Sequence, residues 1–226
     1  MNFLSHYYFD KSTDDANVVM GTVLPDLIKN AIKTANLYPQ KDPELFFESH
    51  DETALLLGWK RHLAVDLFFH SSNFFLEKTT ELKHLIKPVV EGTSIRPSFL
   101  AHIGVELLLD HLLIEHNKVQ VNHFYDRLAA VKKDVLSSFL AHSGLEDERT
   151  FFNFLEQFIS SKYLLSYQKL ENISYALNRI CMRLWPQTLN DFQLQELTFQ
   201  LGIFKLSLVN DFMTIFEEIE TKLNDS

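Results

Sequence analysis

The sequence predicts an all-α fold, a single-domain multi-helix bundle over residues 1–226, and three observations carry that expectation. Apolar residues recur at three- and four-residue spacing through most of the chain, and no convincing alternation of apolar and polar residues marks a strand. Gly and Pro occur only six times each, and several prolines fall where one helical pattern gives way to the next. Hydrophobic residues make up 46 % of the chain, with 20 Phe, enough at this length to fill a sizeable core.

In order, Met1 to Phe9 place His6 among apolar and aromatic residues. Thr13-Asp14-Asp15 supply an N-cap for a helix expected to run to about Leu24, where Pro25 breaks the pattern and Asp26 follows as a cap or a site carboxylate. Residues 36 to 48 hold two prolines and read as a loop. Ser49 and Glu52 have capping-box spacing, so a helix is expected from about residue 50 to Phe75, then an amphipathic one over 76 to 90 up to Pro88. The stretch EGTSIRP is a loop, and Pro97 at a first helical position opens the next helix. Helical spacing continues over 119 to 141 with Gly144 as its C-cap, then over 147 to 162 and 164 to 184, where Trp185-Pro186 stops it. The last pattern, 189 to 223, is long and expected to bend near Gly202.

A formal net charge of −9 argues against nucleic acid as a partner, because phosphate binding needs a basic footprint and no stretch supplies one. The single cysteine, Cys181, allows no intrachain disulfide. The start MNFLSHYYFDK lacks a basic region followed by an apolar one, which leads to the expectation of a cytoplasmic protein. The long apolar stretches are interrupted by His, Asp or Glu, so no membrane span is expected.

The chemistry concentrates between residues 58 and 116. GWKRHLAVDLFFH places His62, Asp66 and His70 at steps of four, and FLAHIGVELLLDH does the same with His102, Glu106 and Asp110. Steps of four drift about 40° on a helix, so each triplet forms one polar stripe. Such groups among Leu, Val and Phe are expensive to bury unless paired or coordinated, and a metal ion facing both stripes would satisfy all of them at once. The plainer reading is hydrogen bonding between His and carboxylate one turn apart on a half-exposed face. His111 lies about 180° round the helix from His102 and about 100° from Asp110, away from the stripe's centre.

MNFLSH, the aspartate of GTVLPDLIKN, His62 with Asp66, the Glu106, Asp110 and His111 run, and YALNRICMR together resemble the acyl carrier protein phosphodiesterase family over nearly the whole chain. That resemblance implies an HD-like all-α fold, a divalent metal with Mn²⁺ favoured over Zn²⁺, Fe²⁺ or Mg²⁺, and acyl carrier protein as substrate. The implied reaction is hydrolysis of the phosphodiester joining 4′-phosphopantetheine to a serine. The chain departs from the family pattern at Glu106 and His70, where the family has aspartate, and in the order Arg61-His62. Metal ligands are then expected from Asp26, His62, Asp66 and Asp110, with His6 and His70 as further ligands. His102, Glu106 and His111 are the catalytic candidates, as ligands, orienting groups or a general base. Arg61 and Arg96 are the foremost candidates for phosphate, with Lys60, Arg179 and Arg183 behind them. The first stripe is also similar to zinc-dependent phospholipase C. A non-catalytic helical binding module descended from such an enzyme is the alternative of a different class.

Overall fold

The structure, a computed structural model, describes residues 1–186 and 189–225, and among these eleven α-helices and three short 3-10 turns occur with no strand. The helices are α1 (Phe3–Tyr8), α2 (Ala16–Ala31), α3 (His50–His70), α4 (Asn73–Ile86), α5 (Pro97–Glu115), α6 (Val121–Ala130), α7 (Lys133–His142), α8 (Glu148–Ser161), α9 (Leu170–Met182), α10 (Asp191–Leu208) and α11 (Phe212–Asn224). The fold is all-α, as the periodicity predicts.

Several boundaries differ from the expected ones for identifiable reasons. Pro25 does not break α2, which continues to Ala31 because Val18 to Leu24, Leu27 and Ile28 are buried on both sides of the proline and their packing outweighs its lost hydrogen bond. Asp26 therefore lies inside a helix rather than at a cap. The helix expected to reach Phe75 ends at His70, because the Ser72 side chain accepts from the Phe75 N–H and starts α4. The pattern over 119 to 141 is two helices parted at Val131 and Lys132, and the last pattern breaks at 209–211 while Gly202 lies within α10. Residues Tyr163–Gln168 form a 3-10 turn ahead of α9. Gly144 takes φ 85°, and the Leu145 N–H reaches the Leu140 carbonyl at 2.9 Å, the closing bond of a Schellman cap.

The helices gather into two compact units. One comprises His6–Asp66 and Val119–Leu165. There α2 and α3 cross at Gly21 and Gly58: a β-carbon on Gly21 would lie 2.2 Å from the Leu55 carbonyl oxygen, and one on Gly58 2.2 Å from that of Val18. Only glycine at both places allows this approach. It carries His62 on α3 alongside the Thr22 turn of α2. Helices α6 and α8 cover α2, with Met20, Val23, Phe124, Tyr125 and Phe151 in the core. The indole N–H of Trp59 is satisfied by Gln40 at 3.0 Å.

The other unit comprises Met1–Ser5, Leu67–Lys118 and the chain from Ser166 onward. Here α5 lies against α4 and α9, and α10 packs on α4 and α9. Gly104 lets Leu82 of α4 reach the α5 backbone, since a β-carbon would stand 2.8 Å from its Cδ2. Helix α5 is long and apolar enough to cross a membrane, with mean hydropathy 1.4, yet Leu100, Val105, Leu108, Leu109 and Leu112 are buried in the fold as core residues.

Candidate metal centre

Two groups of side chains have donor atoms close enough to share one cation among the described residues: His6, His62 and Asp66 in one, and His70, His102 and Glu106 in the other. Each sequence stripe is thereby divided. His62 and Asp66 join His6, while His70 joins His102 and Glu106.

In the first group the His6 and His62 rings stack with centroids 3.9 Å apart, and His6 Nε2 lies 3.3 Å from Asp66 Oδ1. His62 Nε2 is 3.7 Å from Asp66 Oδ2 and 4.0 Å from Asp26 Oδ1. His62 Nδ1 lies 2.9 Å from the Thr22 carbonyl, which accepts only, so Nδ1 carries a proton and the ring turns Nε2 toward the two carboxylates. A lone pair facing anionic oxygens calls for a proton or a cation between them. Nδ1 of the buried His6 has no hydrogen-bond partner, and Nε2 meets only the 3.3 Å approach of Asp66 Oδ1. Burial, then the neighbouring His62 ring, push His6 down to about 4 against the opposing pull of Asp66, so its imidazole is neutral at pH 7. Burial alone would raise the Asp66 carboxyl; the His6 contact and the positive charge around it, His62 included, together outweigh burial and hold it well below the usual carboxylate range. The group thus offers a neutral His6 imidazole and an ionised Asp66 carboxylate, donors in the state that binds metal.

In the second group His70 Nε2 and His102 Nε2 each lie 3.1 Å from the same oxygen, Glu106 Oε1. The two rings are stacked at 5.1 Å, and Phe75 presents its ring nearly perpendicular to both. Burial pushes the Glu106 carboxyl up, but the Met1 ammonium 3.7 Å from Oε1 and the two histidines outweigh it and keep the group ionised.

The remaining expected residues lie elsewhere. Asp110 is fully buried and holds the start of the chain: Oδ1 accepts the Ser5 N–H at 2.8 Å and hydroxyl at 2.7 Å, and Oδ2 accepts the Leu4 N–H at 3.1 Å and the Asn2 amide at 2.7 Å. It caps α1 from a distance, satisfying first-turn N–H groups that a six-residue helix cannot satisfy itself. His111 is buried with Nδ1 2.8 Å from the Tyr167 carbonyl, fixing the 3-10 turn, and burial lowers its pKa. Arg61 donates to the buried Asp10 at 2.5 Å, so it compensates a carboxylate on its own unit. Arg96 precedes α5 and lines a cavity of about 620 Å³ together with His102, Phe99 and Trp185. The Thr22 carbonyl, Ser5, Asn2, Asp10 and the Phe75 wall escaped sequence reasoning. The Thr22 carbonyl orients His62 through a hydrogen bond, and a backbone acceptor leaves no mark in the residue type.

A search of curated proteins and a search of solved structures each found no match to the chain. A family model, acyl carrier protein phosphodiesterase, matches residues 1–219, a span that includes both side-chain groups. By that match the chain belongs to the acyl carrier protein phosphodiesterase family.

Proposed function

We propose that the protein hydrolyses the phosphodiester between 4′-phosphopantetheine and the serine of holo-acyl carrier protein, in the cytoplasm, using a divalent cation held by His6, His62 and Asp66 with Asp26 beside them. The observation that carries the cation is the convergence of donors: the His62 ring, oriented by the Thr22 carbonyl, turns Nε2 toward Asp66 and Asp26, and the buried His6 stacks on it with Nε2 3.3 Å from Asp66. Mixed imidazole and carboxylate donors suit Mn²⁺, Fe²⁺ or Zn²⁺, with Mn²⁺ favoured on family grounds. When bound, such a cation polarises a phosphoryl oxygen and makes water acidic enough to supply hydroxide near neutral pH.

The chain's own residues do the rest. The Thr22 carbonyl keeps the His62 ring in one orientation, and Asp66, between both imidazoles, sets their spacing. Asp26, its side chain about one-third exposed on α2, is the carboxylate placed to take a proton from the attacking water. A bond forms from the water oxygen to phosphorus, the bond from phosphorus to the serine oxygen breaks, and that oxygen takes up a proton. The products are apo-carrier protein and 4′-phosphopantetheine.

Mass spectrometry of holo-carrier protein incubated with the Mn²⁺-loaded protein tests the reading. The expected result is loss of the phosphopantetheine arm, reduced by about a hundredfold or more in Asp66→Asn. Turnover of bis(p-nitrophenyl) phosphate without turnover of holo-carrier protein would remove the named substrate, turnover of phospholipid alone would favour a phospholipase, and none at all in metal-loaded protein would leave a binding module.

A further inference from the structure

The second group of donors, His70, His102 and Glu106, has no part in that reading. We propose that His70, His102 and Glu106 form a separate binding site for one transition-metal ion of the zinc and cobalt class.

Convergence is the first argument. Two Nε2 atoms sit 3.1 Å from one carboxylate oxygen, and all three ligand atoms lie within 4.8 Å of one another. A hydrogen-bonded pair on a helix surface needs only one imidazole for that oxygen. Here a second arrives from α3 to meet the i, i+4 pair His102 and Glu106 on α5. The rings are also held in advance: their stacking and the perpendicular Phe75 ring, 4.9 Å and 4.8 Å from them, fix both orientations. Less side-chain freedom is then lost when an ion arrives.

Donor type selects the ion. Two imidazoles and one carboxylate favour Zn²⁺, Co²⁺ or Ni²⁺ over Mg²⁺ and Ca²⁺, which prefer all-oxygen sets, and three protein ligands leave a position open. The Met1 ammonium, 3.7 Å from the same oxygen, brings a single charge and no hydrogen-bonding contact at that distance. A divalent ion gains the carboxylate and two nitrogen lone pairs, and displaces it. His102 also lines the cavity of about 620 Å³ that holds Arg96 and Trp185, which gives the ion a path from solvent.

Trp185 makes the site observable, because the chain has only two tryptophans and Trp185 shares the His102 cavity. In Trp59→Phe protein, Co²⁺ titration is expected to quench Trp185 emission saturably at about one equivalent, with Zn²⁺ abolishing the effect by competition. The quench should persist when Asp66→Asn is added. It should disappear, with affinity on the order of tenfold or more weaker, in His70→Ala/His102→Ala, and in the near-isosteric Glu106→Gln if the double variant loses its helical circular dichroism. Undiminished quenching in both variants, or loss of quenching with Asp66→Asn alone, would overturn the proposal.

Discussion

Asp110 illustrates how a single residue can look like a ligand in sequence and serve the fold instead. Burial pushes its carboxyl up to about 6, although Ser5, Leu4 and Asn2 donors oppose the shift. In the unfolded chain the group titrates near 3.9, so between about pH 4 and pH 6 the folded state holds a proton that the unfolded state has released. Stability from this group is therefore highest in acid and is lost as pH rises through the window, with a total near 3 kcal/mol. Urea unfolding at pH 4.5 and pH 6.5 should show the wild type losing about 2 kcal/mol more than Asp110→Asn over that interval. An equal pH dependence in both proteins would mean that Asp110 keeps an ordinary carboxyl. The polar stripes themselves were legible in sequence, because steps of four on a helix fix a common face. Their partners were not, since nothing in a helical period says that His70 turns to His102 while His62 turns to His6. The partners of Asp110 were hidden for a related reason: its four donors come from residues 2 to 5, more than a hundred positions away.

Elements show the same division between what is local and what is not. The existence of α2, α5 and α8 followed from apolar spacing, with Asp15 and Pro97 marking the starts of the first two. The breaks did not follow, because Pro25 is overruled by buried packing while the stop at His70 rests on a serine cap that many loops also carry. Glycine was the least legible. Gly21 and Gly58 carry no mark in sequence that sets them apart, yet they set the contact of α2 with α3, whereas Gly202 in α10 has only Leu170 Cδ2 at 3.6 Å from its would-be β-carbon. The two kinds predict opposite outcomes. Gly21→Ala or Gly58→Ala should cost about 3 kcal/mol, since the obstructing atoms are backbone, and should weaken cation binding by moving Asp26 from His62. Gly202→Ala meets ordinary contact distance and should gain up to about 1 kcal/mol from helix propensity. Thermal unfolding of the three variants, with Mn²⁺ titrations of each, checks both halves. Stable Gly21→Ala protein with wild-type affinity would refute the tight crossing.

At the scale of the molecule, the formal net charge of −9 means that any salt relieves some self-repulsion, so cation stabilisation alone does not demonstrate a site. A specific ion adds a term that screening cannot. An ion that binds only the folded state stabilises it by about 2.7 kcal/mol at a hundred times its dissociation constant, and for a chain of this size that is roughly 5 to 10 °C in Tm. Screening depends on ionic strength and is shared by every variant. Site binding depends on the identity of the ion and disappears with its ligands. At matched ionic strength, Mn²⁺ should therefore raise the Tm of the wild type several degrees above the value in NaCl, and a chelator should return it. Asp66→Asn should lose the Mn²⁺ increment while keeping the increment from Zn²⁺, and His70→Ala/His102→Ala should lose much of the Zn²⁺ increment while responding fully to Mn²⁺. The crossed pattern needs two sites that differ in metal preference, the first having a second carboxylate, Asp26, beside its three donors. A single increment that disappears for both ions in Asp66→Asn would reduce them to one, and equal increments in every variant would assign the effect to charge alone.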